Sequence, residues 1–194
     1  MSKTVEFFFD FGSNYSYLAW ASLPGFVQRT GARVLLRPML LGGLWKAVGN
    51  RPPVEVEAKG RWLFKDVERC ARKAGIPYVK NSAFPIMTIG LMRGAVAAED
   101  DGLLEPYVAA MFPAMWRDDR NLADPAVASE VLLAAGLDAR RLLQHSEDPA
   151  VKERLKANTE EAQRRGAFGA PSFFVGDELF WGFDRMHFVE DALA

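Results

Sequence analysis

Ser13 is the residue best placed to take part in chemistry, because it stands where an apolar segment meets the start of a predicted helix. It belongs to residues 10–14 (DFGSN), which follow the segment 5–9 (VEFFF). Free backbone N–H groups and the helix dipole favour an anion at a helix start, so this position suits a thiolate. The alternative is that Ser13 is only an N-cap, a position at which serine is common. The capping-box partner is absent, since Ser16 occupies the third position after Ser13.

A second candidate is the turn at residues 166–172 (GAFGAPS), which places Pro171 directly before a predicted strand. A tight, glycine-rich turn of this kind accommodates a cis proline, although the trans form is the commoner one. A cis Pro171 would expose the backbone of Ala170. The N–H and C=O of Ala170 would then pair with an extended peptide ligand, as a short added strand does.

The chain has few groups for redox or metal chemistry. Its single cysteine, Cys70, excludes an intramolecular disulfide, a Cys-x-x-Cys pair and a thiolate-built zinc site. His145 and His187 have no partner at ligand spacing, so no metal site is expected. Cys70 is predicted to pack in the core, because it shares a helical face with apolar neighbours. Those neighbours are Trp62, Leu63, Val67 and Ala74. A catalytic thiol would therefore come from a bound molecule.

The composition fits one compact domain, or a domain that carries a large insertion. The 194 residues are 49% hydrophobic and 25% charged. The 24 basic and 25 acidic residues nearly cancel, and no Lys/Arg run follows one stretch, which argues against nucleic acid as a partner. Charges in residues 1–6 (MSKTVE) interrupt any signal-peptide core, and no apolar run approaches the roughly 18 residues of a membrane span. We therefore expect a cytoplasmic protein with no membrane partner.

The N-terminal segment predicts a parallel βαβ unit. Residues 5–9 and 33–37 have the pattern of strands, and the apolar spacing from 15 to 30 predicts a helix between them. Residues 24–25 (PG) predict a kink or a break within this helix, and Gly31 is expected to end it. Short links between the three elements imply a right-handed crossover.

The C-terminal segment predicts a hairpin followed by a helix. Gly176 and Asp177 separate two short strands, 172–175 and 178–181. After the hairpin, Asp184 is predicted to cap a final helix. The two ends of the chain together give the order βαβ…ββα.

Residues 42–144 lack strand signals and have the pattern of a helical insertion. Asp124 and Asp148, each followed by proline, mark helix starts, and Gly136 and Gly166 lie where left-handed helix ends are expected. We therefore expect two domains, packed firmly together because no flexible linker joins them. These are a core domain of residues 1–41 and 145–194, and an insertion domain of residues 42–144.

The predicted order of elements resembles the thioredoxin fold, an α/β fold, here with a large α-helical insertion. Three motifs resemble one DsbA-like branch of that fold, the kappa-class glutathione transferases and the 2-hydroxychromene-2-carboxylate isomerases. They are 9–13 (FDFGS) with Tyr17; 49–53 (GNRPP), 59–63 (KGRWL) and Asp66; and 168–171 (FGAP), 176–178 (GDE) and 181–185 (WGFDR). The second motif is the most specific to the branch. The family commonly has proline after the serine, whereas this chain has Asn14.

The resemblance implies a glutathione site around Ser13. The hydroxyl of Ser13 would hydrogen-bond the glutathione sulfur, at the place that thiol oxidoreductases of this fold give to their attacking cysteine. Ala170, next to Pro171, would pair with the cysteinyl backbone of the cofactor.

The same resemblance implies contacts to both charged ends of glutathione. Asn50 and Lys59 would hold the glycine end. Asp184 would meet the γ-glutamyl amine, and backbone N–H groups beside it, at Phe183 and Arg185, would take the γ-glutamyl carboxylate. An anionic peptide needs such a cation at one end, a carboxylate at the other and backbone between them.

The activity that the resemblance implies is a glutathione-dependent isomerase for aromatic 2-oxo acids such as 2-hydroxychromene-2-carboxylate, acting in aromatic catabolism as a homodimer. Serine suits this role, because a hydroxyl stabilises a thiolate but cannot form a mixed disulfide. Two alternatives stay open, a kappa-like glutathione transferase and a non-catalytic thioredoxin-fold binding protein. A disulfide oxidoreductase is excluded by the single cysteine. Several aromatic residues fit either a substrate pocket or the core, namely Trp45, Trp62, Phe84, Trp116 and Trp181.

Overall fold

The computed structural model describes residues 3–194, and residues 1–2 of the predicted core domain lie outside them. The strands are β1 (Thr4–Phe9), β2 (Arg33–Pro38), β3 (Ser172–Val175) and β4 (Glu178–Trp181). They form a four-stranded sheet in the order β2-β1-β3-β4. The β1–β2 pair is parallel, and β3 pairs antiparallel with both β1 and β4. This is the predicted βαβ…ββα arrangement.

Helices occupy most of the remaining described chain. They are α1 (Asn14–Thr30), α2 (Leu41–Val48), α3 (Glu57–Ala74), α4 (Ile89–Asp100), α5 (Leu104–Trp116), α6 (Pro125–Ala134), α7 (Ala139–His145), α8 (Pro149–Arg164) and α9 (Met186–Ala192). Short 3₁₀ turns lie at Pro53–Glu55 and Phe183–Arg185. The run α2 to α7 confirms the predicted helical character of residues 42–144. Along residues 3–194, no helix combines the length and the apolarity that crossing a bilayer requires.

The central strand β1 is buried on both faces, as its run of phenylalanines predicts. Phe7 and Phe9 point into a large cluster that continues through α1, α4 and α5. Phe8 points the other way, into a smaller cluster under α2 and α8, where its ring meets Phe174 edge-on at 5.5 Å. Because the large cluster includes Phe112 of α5, the sheet and the inserted helices share one core. The proposed domain boundaries at 41/42 and 144/145 stay a prediction.

Local signals located most helix ends correctly. Asp124 and Asp148 accept hydrogen bonds from the second residue of α6 and α8, at 2.9 and 2.7 Å, as N-cap side chains do. Gly31 ends α1 in the left-handed conformation, with φ at 65°. Gly136 and Gly166 also have positive φ values, of 75° and 91°. These predictions are confirmed.

The sequence predicts a kink or a break at residues 24–25, and the break is not observed. The helix α1 continues through Pro24 to Thr30, because buried Leu18 and Phe26 hold the turns on either side against the core. The prediction for Asp184 is wrong. Asp184 does not cap the final helix, since it lies inside the 3₁₀ turn Phe183–Arg185 and its carboxylate pairs with Arg185. The helix α9 begins only after that turn, and no side chain caps it.

Cys70 packs against the core, as predicted, but not with all of its predicted neighbours. It is partly buried on α3, whose buried positions are Gly60, Val67 and Ala71. Trp62 turns outward with 58% of its surface exposed, because α3 lies on the outside of the molecule and buries only a narrow face.

Candidate active site

Ser13 joins the start of α1 to the turn before β3. Its Oγ accepts a hydrogen bond from the Ser16 N–H at 3.1 Å, which makes Ser13 the N-cap of α1. The same hydroxyl donates to the C=O of Ala170 at 3.1 Å. The residue is only 7% exposed. The two candidates that the sequence places 157 positions apart are therefore in direct contact.

The turn around Pro171 has an open backbone edge. The Ala170–Pro171 peptide bond is cis, the form that a tight, glycine-rich turn accommodates. The C=O of Pro171 accepts from the Gly182 N–H at 3.0 Å, and the hydroxyl of Ser172 donates to Gly169 at 2.8 Å. Within residues 3–194, the Ala170 N–H donates to no protein acceptor. Ala170 therefore has a backbone N–H without a protein acceptor, on the same residue whose C=O the Ser13 hydroxyl contacts.

Asn50 reaches the same turn from the insertion. It follows Gly49, the left-handed C-cap of α2, and its Nδ2 donates to the C=O of Phe168 at 3.1 Å. Its Oδ1 accepts from the Arg51 N–H at 2.8 Å, which fixes the orientation of the amide. The structure thus brings Ser13, Asn50, Ala170 and Pro171 together.

Within residues 3–194, the remaining predicted site residues have no hydrogen bond or ion pair to Ser13, Asn50 or Ala170. Lys59 is exposed in the first turn of α3. Asp184 and Arg185 form an exposed ion pair two and three residues beyond Gly182, which is bonded to Pro171. Phe183 is partly buried and packs against the large core cluster. No contact between Lys59 and Asp184 is found in the described part of the chain.

The helix that carries Lys59 is anchored to the helix that Ser13 starts. The Tyr15 hydroxyl donates to Oδ2 of Asp66, in α3, at 2.7 Å. Burial, and then this carboxylate, raise the pKa of Tyr15. Asn14, which takes the place of the proline common in the family that this chain resembles, is buried, and its Oδ1 accepts from the Tyr15 N–H at 2.9 Å.

Asp10 is the residue of this region that sequence reasoning missed. It follows β1 and is 1% exposed. Its Oδ1 accepts from the Gly12 N–H at 2.8 Å, and its Oδ2 accepts from the Leu41 N–H at 2.8 Å. Its backbone C=O accepts from the Ser13 N–H at 3.0 Å. Asp10 therefore closes the turn that presents Ser13 and ties it to the start of α2. The only signal in the sequence is an acid directly after the three phenylalanines that end β1.

Trp116 supports the turn at residues 10–13 from the core and does not line an open pocket. Its side chain is fully buried, and its Nε1 donates to the C=O of Phe11 at 2.7 Å. Thr88 closes the other side, since a Cβ added to Gly12 would lie 3.2 Å from its methyl carbon. The backbone between Asp10 and Ser13 is therefore held from three directions.

Burial raises the pKa of the Asp10 carboxyl above its ordinary value of 3.8, and hydrogen bonds from Leu41, Gly12 and Thr88 offset part of this rise. A raised pKa in the folded state stabilises the fold fully below the unfolded value, and this contribution is lost as pH rises through the folded value. The stability that Asp10 confers is therefore greatest in acid.

We expect Asp10→Asn to lower the free energy of unfolding by about 1–3 kcal/mol. In the wild type each carboxylate oxygen of Asp10 accepts from a backbone N–H, and in the variant the asparagine NH₂ group would replace one of these acceptors. The neutral variant lacks the pH-dependent contribution of the acid. The stability gap between wild type and variant should therefore narrow from acid towards neutral pH. Urea unfolding of both proteins across pH measures this gap, and a gap that widens with pH would contradict the burial argument.

The chain supplies no activated nucleophile or metal cluster of its own within residues 3–194. Burial, and then Asp66 at 3.8 Å from its sulfur, raise the pKa of Cys70, so its thiolate is disfavoured. No group of three His, Cys, Asp or Glu residues in that range is arranged to hold a metal ion. The groups that the site offers to a ligand are the Ser13 hydroxyl, at the start of α1, and the backbone N–H of Ala170.

Comparison with known proteins identifies the family of this chain. The model of the DSBA-like thioredoxin domain matches residues 4–194. A 2-hydroxychromene-2-carboxylate isomerase of Sphingobium xenophagum is 34% identical, over 100% of this chain and 99% of its own. The human glutathione S-transferase kappa 1 is 28% identical, over 100% of this chain and 92% of its own.

A solved structure agrees with the sequence comparison. A selenomethionine-labelled 2-hydroxychromene-2-carboxylate isomerase superimposes with a TM-score of 0.88 at 28% identity, covering 98% of this chain and 94% of that one. The predicted thioredoxin-like α/β fold is thereby confirmed. The chain belongs to the DSBA-like thioredoxin-domain family, in the branch of the 2-hydroxychromene-2-carboxylate isomerases and kappa-class glutathione transferases.

Proposed function

We propose that this protein is a glutathione-dependent isomerase for 2-hydroxychromene-2-carboxylate and related aromatic 2-oxo acids. The observation that carries the proposal is the contact of the Ser13 hydroxyl with Ala170, beside the free Ala170 N–H. A proton donor at a helix start and an open peptide edge together match a ligand that has both a thiol and a peptide backbone. Relatives named as isomerases and as kappa glutathione transferases support the same reading.

The residues of the site fit glutathione in their chemistry. Ser13 would donate to the sulfur, and Ala170 would pair with the cysteinyl backbone beside Pro171. Asn50 and Lys59 would hold the glycine end. Asp184 would accept from the γ-glutamyl amine. The backbone N–H groups of Phe183 and Asp184 would donate to the carboxylate, since the Arg185 N–H already donates to the C=O of Gly182 at 3.2 Å. Because Asp184 already pairs with Arg185, the ligand amine would share or replace that exposed partner.

Bound glutathione would supply a thiolate for reversible addition to an activated carbon–carbon double bond. Ser13 lowers the cost of holding that negative charge by donating a hydrogen bond to it. The hydroxyl cannot itself form a disulfide, and burial and Asp66 raise the pKa of Cys70 on α3, so its thiolate is disfavoured. The external sulfur therefore remains the only nucleophile that the site uses.

The decisive experiment follows substrate absorbance and free thiol in the same cuvette. Catalytic traces of glutathione should convert a large excess of a hydroxychromene carboxylate, with the free thiol constant throughout. A transferase would lose one thiol for each product formed, and its rate would stop when the thiol ran out. Stoichiometric loss of thiol would refute the isomerase assignment and leave the site itself intact.

The kappa-like transferase is the second candidate, because the same site residues would serve it and relatives at 27–28% identity carry that name. A non-catalytic binding protein is the third, and it would show no ionisation of bound glutathione in an ultraviolet titration. A cytoplasmic location, a role in aromatic catabolism and a homodimer remain predictions that accompany the isomerase proposal.

We expect Lys59→Ala and Asp184→Ala each to raise the glutathione concentration needed for half-saturation, since each removes a charge partner of the zwitterionic ligand. Added salt should weaken wild-type binding in the same direction, because exposed charge pairs are screened. Matched controls are Lys65→Ala on the same helix and Asp177→Ala in the hairpin turn, both exposed. Unchanged saturation curves for Lys59→Ala and Asp184→Ala would contradict the assignment of the two ends.

A further inference from the structure

We propose that the hydrogen bond from Ser13 to Ala170 is exchangeable, and that Ser13 becomes available to a thiolate only when a ligand's backbone N–H takes over the C=O of Ala170. This inference rests on the proposed glutathione site. If the exchange occurs, the site ionises only those thiols whose cysteinyl residue carries an amide N–H.

The argument begins with the single proton of the Ser13 hydroxyl. A serine side chain has one O–H donor and two acceptor lone pairs. The Ser16 N–H uses one lone pair, and the proton is committed to the C=O of Ala170. Ser13 therefore cannot donate to a thiolate while this second bond is intact.

The N-cap bond makes the exchange possible without movement of heavy atoms. Because the Ser16 N–H holds Oγ at 3.1 Å, the oxygen stays fixed while the proton rotates about the Cβ–Oγ bond. The hydroxyl can thus turn from Ala170 towards a neighbouring acceptor. The bonds that hold Asp10 to Gly12 and to Leu41 keep the turn itself in place.

The exchange has a cost unless Ala170 receives a new donor. Ser13 is 7% exposed and Ala170 is partly buried, so a C=O that loses its partner there is poorly solvated. Leaving such a group unsatisfied costs about as much as a hydrogen bond to the thiolate gains. A ligand that pairs with Ala170 as an added strand offers an N–H to this C=O and accepts from the free Ala170 N–H. The C=O of Ala170 then keeps a hydrogen-bond donor, and the Ser13 hydroxyl is free to donate its hydrogen bond to the thiolate.

The expected consequence is selectivity for the peptide group next to the sulfur. A thiol that lacks this N–H leaves Ser13 bonded to Ala170, and its sulfur stays protonated. A peptide thiol gains both the strand pairing and the Ser13 hydrogen bond. The site therefore couples recognition of the cysteinyl backbone to ionisation of the cysteinyl sulfur.

The test compares glutathione with two analogues, each with one amide N–H replaced by an ester oxygen. One analogue loses the cysteinyl N–H, and the control loses the glycyl N–H. Ultraviolet thiolate absorbance is titrated against pH for each ligand at saturating protein, so that weaker binding does not affect the result. With wild-type protein, the cysteinyl ester should show about tenfold less thiolate at neutral pH than glutathione, and the glycyl ester should match glutathione.

The Ser13→Ala protein completes the comparison. Without the hydroxyl there is nothing to exchange, so the three ligands should ionise alike in this variant. If the cysteinyl ester ionises as fully as glutathione in wild-type protein, the exchange is wrong and the glutathione site stands. If glutathione itself is no more ionised on wild-type protein than in water, the proposed function fails together with the exchange.

Discussion

Ser13→Ala should reduce the thiolate fraction of bound glutathione at neutral pH by roughly ten- to hundredfold, because one hydrogen bond to a charged acceptor contributes about 1.5–3 kcal/mol. The pKa of the bound thiol rises accordingly, while affinity falls only modestly, since the peptide contacts remain. An ultraviolet titration of the complex measures the thiolate directly. Turnover should fall in parallel with the thiolate fraction.

The control for this variant must separate the hydrogen bond from the helix cap. Ser13→Ala also removes the bond to the Ser16 N–H, and loss of an N-cap costs about 1 kcal/mol of stability. Asp124→Ala and Asp148→Ala remove comparable caps from α6 and α8, helices that carry none of the predicted site residues. All three variants should lose stability, but only Ser13→Ala should change the thiolate titration. An identical titration in wild type and Ser13→Ala would show that Ser13 acts only as the N-cap of α1 and does not stabilise the thiolate.

Gly94→Ala should cause the largest loss of stability, a decrease of about 3 kcal/mol or more in the free energy of unfolding. Gly94 is buried in α4, and a Cβ added there would lie 2.2 Å from the Tyr107 hydroxyl oxygen of α5. Tyr107 has no free space in which to move, since it is 2% exposed and its hydroxyl donates to the C=O of Leu91 at 3.0 Å. The two helices must separate, or that hydrogen bond must break.

Gly90 provides the matched control on the same helix. It is exposed, and a Cβ added there meets nothing within 4 Å. Gly90→Ala should therefore be neutral or stabilise by up to about 1 kcal/mol through helix propensity. Tyr107→Phe combined with Gly94→Ala should recover part of the loss, because the closest clash is with the hydroxyl. Equal urea midpoints for Gly90→Ala and Gly94→Ala would contradict the packing argument.

Local chemistry explains which parts of the fold could be predicted from the sequence. The strand β1, the hairpin at Gly176 and the caps at Asp124 and Asp148 follow from residue types within a few positions of one another. The helix α1 continues past Pro24 without a break, because burial of α1 outweighs the local cost of proline. Asp184 was misjudged because a 3₁₀ turn precedes the last helix and a neighbouring arginine takes its carboxylate.

In the candidate site, too, the features set by neighbouring residues could be predicted from the sequence, and those set by distant contacts could not. Ser13 and Pro171 could be identified from helix-start and turn chemistry, and the cis bond was within reach of the same reasoning. Their direct contact could not, because it joins segments far apart in the chain. The role of Asp10 was also hidden, since its partners include Leu41, whose position depends on how α2 packs over the end of the sheet.

The position of β1 in the middle of the sheet has a consequence for the protein while it is being made. Phe7 pairs with Phe173, and their rings stack at 5.0 Å. On the ribosome, β2 soon becomes available to β1, but the other edge of β1 stays open until the segment around Phe173 has been synthesised. At typical elongation rates this delay is on the order of ten seconds. During that time this strand edge is free to pair with other chains, so we expect aggregation of the nascent chain to compete with its folding.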